Sequence, residues 1–267
     1  MSATTATIPG RVIARGTAWR TVLGPVLLGV ALIGLWQGIV DGFGIDEYIV
    51  PSPSDIAGQV KDNLDTIVSG SLHTGANALI GLAVGAVIGI AGAIVAGVWR
   101  IFDTVVAPLV AALAVMPIVA LAPVLYTMYG ADKETARQIV AAIAVIVPVY
   151  INTLRGLRQV RPVHRDLMRV YAASPRQQQL AVTLPTAAPY LFTGLRIASS
   201  LAVISALVAE YFGGPISGLG KSITSSAASS NYALAWAYVL GAIVLGLVFY
   251  CAALAIEVAL TRHRPTP

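Results

Sequence analysis

From Thr74 to Trp99 the chain carries no charged side chain, and the segment "GLAVGAVIGIAGAIVAG" inside it is apolar on every face. A helix needs about 20 predominantly apolar residues to cross the hydrocarbon core of a bilayer. One without a polar face has no place on the surface of a soluble domain. Comparable runs recur, giving six expected spans at about 22–40, 74–98, 104–127, 135–154, 188–212 and 232–260. Composition agrees: 57% of residues are hydrophobic and 11% charged, against roughly 25% charged in a soluble protein. The expected fold class is all-α, a polytopic membrane protein of six transmembrane helices.

Charge placement orients the spans. With the N-terminus inside, the inner side receives Arg11, Arg15, Arg20, Arg100, Arg155, Arg158, Arg161, Arg165, Arg169, Arg176, Arg196, Arg262 and Arg264, and the outer side only Lys61, Lys133, Arg137 and Lys221. Basic residues favour cytoplasmic loops. Both termini are therefore expected in the cytoplasm. The expected division is a tail at 1–21, one transmembrane domain at 22–260 and a tail at 261–267. An outer loop at about 41–73 and a cytoplasmic loop at about 155–187 belong to the domain. In the outer loop, Pro51 and Pro53 enforce an extended entry. Ser54 or Asp55 can cap a short amphipathic helix, with Ile56, Val60, Leu64, Ile67 and Val68 on its apolar face.

Within the spans, Gly81, Gly85, Gly89 and Gly92 recur every three or four residues, the spacing that lets helices approach closely in lipid. Pro108, Pro117 and Pro123 in the third span free backbone carbonyls that must face protein or a wet cavity. That span is read as interior and kinked. Met116, Pro117, Tyr126 and Met128 are candidates to line a pathway, against a plain packing role for each. Asn77 and Asn152 are candidates for hydrogen bonds between helices. Glu210 is an acid inside an apolar run, by default a functional candidate. The bland alternative is an anchor near the outer headgroups beside Tyr211. No Lys or Arg is read at midspan to neutralise an anion, which favours a neutral or aromatic solute.

Several function classes recede. Gly220-Lys221-Ser222 ends like a phosphate-binding loop, but the glycine needed five positions earlier is Pro215, which has no amide hydrogen. No nucleotide site is expected in this chain. Cys251 is the single cysteine and reads as a small hydrophobe, leaving no metal cluster. His73, His164 and His263 are scattered, and no catalytic set stands out, so the chain is not read as an enzyme. No basic stripe interleaved with aromatics points to nucleic acid.

The stretch "RDLMRVYAASPRQQQLAVTLP", Arg165 to Pro185, is the polar interruption of this apolar chain. Asp166 near the start of a short helix suits the positive end of its dipole. Val170, Ala172 and Ala173 make a compact ridge, Pro175 permits a new helical start, and Pro185 marks entry to the next span. Such a ridge suits insertion into a groove on a soluble partner. The other reading, a surface loop whose arginines only set topology, stands beside it.

These residues resemble the cytoplasmic signature of ABC importer permeases, E-A-A-x-x-x-G followed after nine residues by I-x-L-P. Asp166 stands at the Glu, Leu167-Met168 at the alanines, Ala172 at the Gly, Val182 at the Ile, and Leu184-Pro185 in register. "VPSPSDI", "MPIVALAPVLYTMYG", "APYLFTGLRIASSLAVISALVAEYFGG" and "GLG" at Gly218–Gly220 are similar to segments of the nitrate/sulfonate/taurine-type permeases. The resemblance covers about 22–260.

It implies a type I importer permease fold in which two identical or related chains form the pathway through the lipid. Asp166, Arg169, Val170, Tyr171, Ala172, Ala173, Ser174 and Pro185 would couple to a separate cytoplasmic ATP-binding subunit, which holds ATP and magnesium; this chain binds no cofactor. An extracellular or periplasmic solute-binding protein would deliver the solute. Met116, Pro117, Tyr126 and Glu210 would line or gate the pathway. Relatives of this kind move nitrate, sulfonates, taurine, bicarbonate, thiamine precursors or riboflavin, and "VAEYFGG…GLG" looks more like the last two branches. The competing class is an autonomous ion- or proton-coupled carrier using Glu210; such a carrier should show inverted repeats, and no convincing pair is found.

Overall fold

The computed structural model describes residues 18–130, 132–215 and 217–261. The expected tail at 1–21 gives way to helix from Ala18; the rest of it, and nearly all of 261–267 with His263, lie outside the described residues. In chain order the helices are α1 (Ala18–Phe43), α2 (Pro53–Asp62), α3 (Leu64–Val98), α4 (Arg100–Val115), α5 (Ile118–Tyr129) and α6 (Thr135–Arg158). After these come α7 (Pro162–Val170), α8 (Pro175–Gln178), α9 (Leu184–Phe212), α10 (Leu219–Ala228) and α11 (Tyr232–Thr261). No strand occurs among the described residues.

Five helical stretches, α1, α3, α6, the run through α8 and α9, and α11, are long and apolar enough to cross a membrane. The sixth crossing is broken. Helices α4 and α5 meet at 96°, because a residue before proline is driven out of the helical region. Met116 is extended (φ −66°, ψ 128°) and Pro117 follows at φ −70°, ψ 94°. The pair still connects both ends of the bundle. Asp103 of α4 pairs with Arg158 at the end of α6 at 2.6 Å, whereas Tyr126 of α5 reaches Ala209 near the end of α9. The sequence expectation of a kink holds, and within the single chain most of this span is exposed. Only Val110, Ala122 and Tyr126 of this span are buried. Val105, Leu109, Val115, Val124 and Met128 are exposed, because α5 touches the bundle through its small and aromatic face alone.

The core is the triad α3, α6 and α9, closed by alanine and valine: Ala78, Ala141, Val145, Val149, Ala198, Ala202 and Ala206. Its closeness comes from glycine. A Cβ at Gly85 would lie 2.5 Å from the Ala142 carbonyl oxygen and 2.7 Å from Val145 Cβ, and one at Gly89 3.0 Å from the Ile146 oxygen. Gly81 likewise abuts Ala141. The glycine row is thus the seam between α3 and α6, as its spacing suggests.

Two boundaries differ from the sequence reading. Helix α2 is capped by Ser52, not Ser54 or Asp55: the Asp55 amide donates to the Ser52 hydroxyl, and the Ser52 amide donates to the Asp55 carboxylate. Pro53 takes the first helical position, where its missing N–H costs nothing. Leu64, Ile67 and Val68 belong to α3, which begins ten residues earlier than expected, at Leu64 instead of 74. The segment after Gly218 forms helix α10.

Candidate functional site

Two features stand out, one at each end of the bundle. At the end where α3 and α6 begin and α9 stops, a chain of polar side chains is sealed inside the protein. Glu210 and Arg137 are both fully buried. A buried charge persists only where partners replace water. The Glu210 carboxylate accepts from the Thr74 hydroxyl at 2.9 Å and from the Gly220 amide at 2.8 Å, with the Arg137 guanidinium 3.8 Å away. Arg137 donates to Glu134 at 2.8 Å, to the Pro215 carbonyl at 2.7 Å and to the Tyr126 hydroxyl at 3.3 Å. Tyr126 donates in turn to the Ala209 carbonyl at 3.2 Å. Beyond Glu134 lie Asn77, at 2.6 Å, and Gln138, which donates to Asn77 at 3.0 Å. The network ties α3, α5, α6, α9 and α10 together.

The "GLG" turn is explained here. Glu210 sits against the first turn of α10, where amide groups lack helical partners and negative charge is favoured. A Cβ on Gly218 would collide with the Glu210 carboxylate, and one on Gly220 with the Leu207 carbonyl. The Gly220 amide, which a phosphate-binding loop would present to a phosphate, is already committed to a carboxylate.

Arg137, read from sequence as an outer-loop cation, is a correction: it is buried because Tyr126, Glu134 and the loop after α9 supply acceptors all round it. Arg196 of α9 pairs with Glu257, four residues from the end of α11, at 3.1 Å and lies 5.8 Å from the centre of the Tyr250 ring. Asn77 bonds between helices as expected, but Asn152 donates to the Pro148 carbonyl within its own helix.

Of the pathway candidates, the network brings Tyr126 and Glu210 together and leaves out Met116 and Pro117, which form the break between α4 and α5. Thr74, Glu134 and Arg137 were missed. The Glu134–Arg137 spacing of three was a legible signal for a helical ion pair; Thr74 offered none.

At the opposite end α7, the turn after it and α8 form a projecting corner. Proline at the first helical position starts α7 at Pro162, so Asp166 is mid-helix rather than at the positive end of the dipole. Its partner is Arg169, at 2.9 Å on the exposed surface. The amphipathicity of α7 is reversed. Val163, Leu167 and Val170, spaced to share one face, are 59%, 51% and 82% exposed, and Tyr171 is 74% exposed. Arg165 and Arg169 fall on the other side, facing the space beneath the bundle.

Ala172 has φ +48°, a left-handed conformation that glycine adopts without penalty. The glycine of the signature is thus a turn requirement, met here by alanine under strain. Ala173 is half-buried behind it. Ser174 then caps α8, accepting from the Gln177 amide and donating its own amide to the Gln177 side chain. A π-helical turn at Gln179–Thr183 leads into α9 at Pro185. The wider turn accommodates a proline that cannot donate within an α-helical ladder.

The bundle has five helices long and apolar enough to cross a membrane, six crossings with α4 and α5 taken as one, and this corner projects from one end. The chain belongs to the family of binding-protein-dependent transport system inner membrane components, which residues 81–262 match. Similar proteins include a probable ABC transporter permease protein of Haemophilus influenzae, 29% identical over 86% of this chain and 93% of its own. A formylaminopyrimidine transport permease protein of Halalkalibacterium halodurans is 31% identical over 72% of this chain and 76% of its own. A riboflavin transport system permease protein of Chloroflexus aurantiacus is 30% identical, covering 77% and 76% respectively. The fold is also that of a crystal structure of an amino acid ABC transporter with histidines, at TM-score 0.61 and 15% identity over 74% of this chain and 95% of that one. The chain is therefore a permease of the ABC importer type.

Proposed function

We propose that this chain is the transmembrane subunit of a binding-protein-dependent importer of a small solute, driven by ATP hydrolysed in a separate subunit that docks on α7. The observation that carries the reading is the outward apolar face of α7. A projecting helix that shows Val163, Leu167, Val170 and, just after it, Tyr171 to its surroundings is built to fill a groove on another protein. Asp166, Arg169, Ala172, Ala173 and Ser174 shape that corner, and Pro185 passes its movement into α9 through a continuous helical run.

The exposed side of the broken span gives the second chain, identical or related, its place. Met116 and Pro117 sit where α4 and α5 can change their mutual angle, and their face would border the pathway. Tyr126 and Glu210 act behind it, as the clamp holding α5 to the bundle. The end carrying α2 and α10 would meet the solute-binding protein. The solute falls in the nitrate, sulfonate, taurine, thiamine-precursor or riboflavin class. ATP and magnesium belong to the partner ATPase, and both tails and α7 to the cytoplasmic side of a bacterial inner membrane.

The test is co-purification. The tagged chain, expressed with its neighbouring genes, should retain an ATP-binding subunit, and Val170→Glu should release it while the chain stays monodisperse. Solute uptake by the chain alone in proteoliposomes, abolished by Glu210→Gln, would instead establish an autonomous carrier.

A further inference from the structure

Two cavities lie side by side at the α7 end of the bundle. The first, about 410 Å³, is a groove between α3, α6, α9 and α11, walled by Ile90, Leu191, Phe192 and Leu260 among others. The second, about 560 Å³, has Arg165 and Arg169 of α7 and Gln178 and Gln179 around its mouth. Ile94, Leu157 and Leu184 line both. Together they make a cleft with an apolar arm along the long helices and a basic mouth at their end. No residue of α4 or α5 lines either cavity, so the cleft lies away from the broken span.

Two properties of the cleft converge. Its arm is apolar, so its occupant there is hydrocarbon. Its mouth carries net positive charge: Arg165 makes no ion pair among the described residues, and Arg169 has only the exposed Asp166.

We propose that this cleft seats an anionic phospholipid. An acyl chain fills the arm. The phosphate lies between Arg165 and Arg169, which suit phosphate oxygens in charge and geometry. A free phosphate would leave the arm empty. A second permease chain belongs on the α4–α5 side. The site is independent of ATPase docking, because that uses Leu167 and Val170 on the other side of α7.

The test is native mass spectrometry of the purified full-length chain with added phosphatidylglycerol, phosphatidylcholine or glycerol 3-phosphate. Two arginines at the headgroup should favour phosphatidylglycerol over phosphatidylcholine by roughly tenfold. Arg165→Gln with Arg169→Gln should abolish the preference. Ala188→Trp, which fills the arm and keeps both arginines, should abolish phosphatidylglycerol retention; if that variant does not fold, Leu180→Trp at the rim serves in its place. Equal retention of the two lipids would overturn the proposal. So would a preference that survives loss of both arginines, or displacement of phosphatidylglycerol by equimolar glycerol 3-phosphate.

Discussion

Glu210 of α9 and Thr74 of α3 are 136 positions apart in sequence, yet both carboxylate oxygens lie 2.9 Å from the one threonine hydroxyl. That hydroxyl also accepts from the Leu219 amide at 2.9 Å. A single side chain of α3 thereby fixes the end of α9 and the start of α10 together. With Arg137 on the carboxylate's other flank, the polar network works as a clamp on five helices.

Breaking the clamp should therefore unfold the α10 end of the bundle first. Glu210→Ala leaves the Thr74 hydroxyl and the Gly220 amide without their acceptor and removes one of the two carboxylates beside Arg137, Glu134 staying at 2.8 Å, which should cost about 3 kcal/mol, the lower end for a broken buried pair. Thr74→Val removes the hydroxyl that donates to the Glu210 carboxylate and accepts from the Leu219 amide and should cost about 1–3 kcal/mol. Thermal unfolding in detergent should rank the proteins wild type, Thr74→Val, Glu210→Ala. A Glu210→Ala protein as stable as wild type would refute the clamp.

What the sequence disclosed and what it hid follow from interaction range. The crossings were legible because an apolar run reports its own environment, and the α3–α6 seam because Gly81, Gly85 and Gly89 repeat at helical spacing. Arg137 was counted only as an outer-side cation because it stands near the start of an apolar run, where loop cations also stand. Its acceptors at Gly213 and Pro215 are 76 and 78 residues away. Glu210 could be flagged as costly, but its partners Thr74 and Arg137 come from other helices. Asp166 was placed at a helix start because Pro162, the true start, lies before the stretch that drew attention. The reversed face of α7 is a property of how the helix docks, and no local pattern distinguishes it from an ordinary amphipathic helix.

The glycine seam gives a paired expectation. Gly85→Ala forces a Cβ into the Ala142 carbonyl and Val145 and should destabilise by about 1–3 kcal/mol, as overpacking does. Gly246→Ala meets nothing within 4 Å and should be neutral or slightly stabilising through helix propensity. Melting temperatures of the two variants separate the cases, and equal shifts would contradict the seam.

Ala172→Gly should relieve the left-handed strain at the corner and stabilise it by about 1 kcal/mol. Hydrogen exchange at the amides of Ala173 and Ser174 should slow. Ala172→Val, β-branched at the same φ, should quicken it. Unchanged exchange in both variants would mean that the corner does not hold this conformation in the membrane.

Orientation can be read chemically in a Cys251→Ser background. If the arginine-rich end is cytoplasmic, a membrane-impermeant maleimide applied to spheroplasts should label Tyr48→Cys, in the α1–α2 loop, and spare Val170→Cys until the membrane is opened. Reversed labelling would invert the topology.

The most direct test of ATPase docking is a photocrosslinker placed at Tyr171 in living cells, with one at Tyr48 as the control at the other end. The expected result is one dominant Tyr171 adduct containing an ATP-binding subunit, absent from the Tyr48 sample and lost when Leu167→Glu is added. A Tyr171 probe that captures only lipid or no protein, in cells expressing the neighbouring genes, would contradict docking of an ATPase on α7.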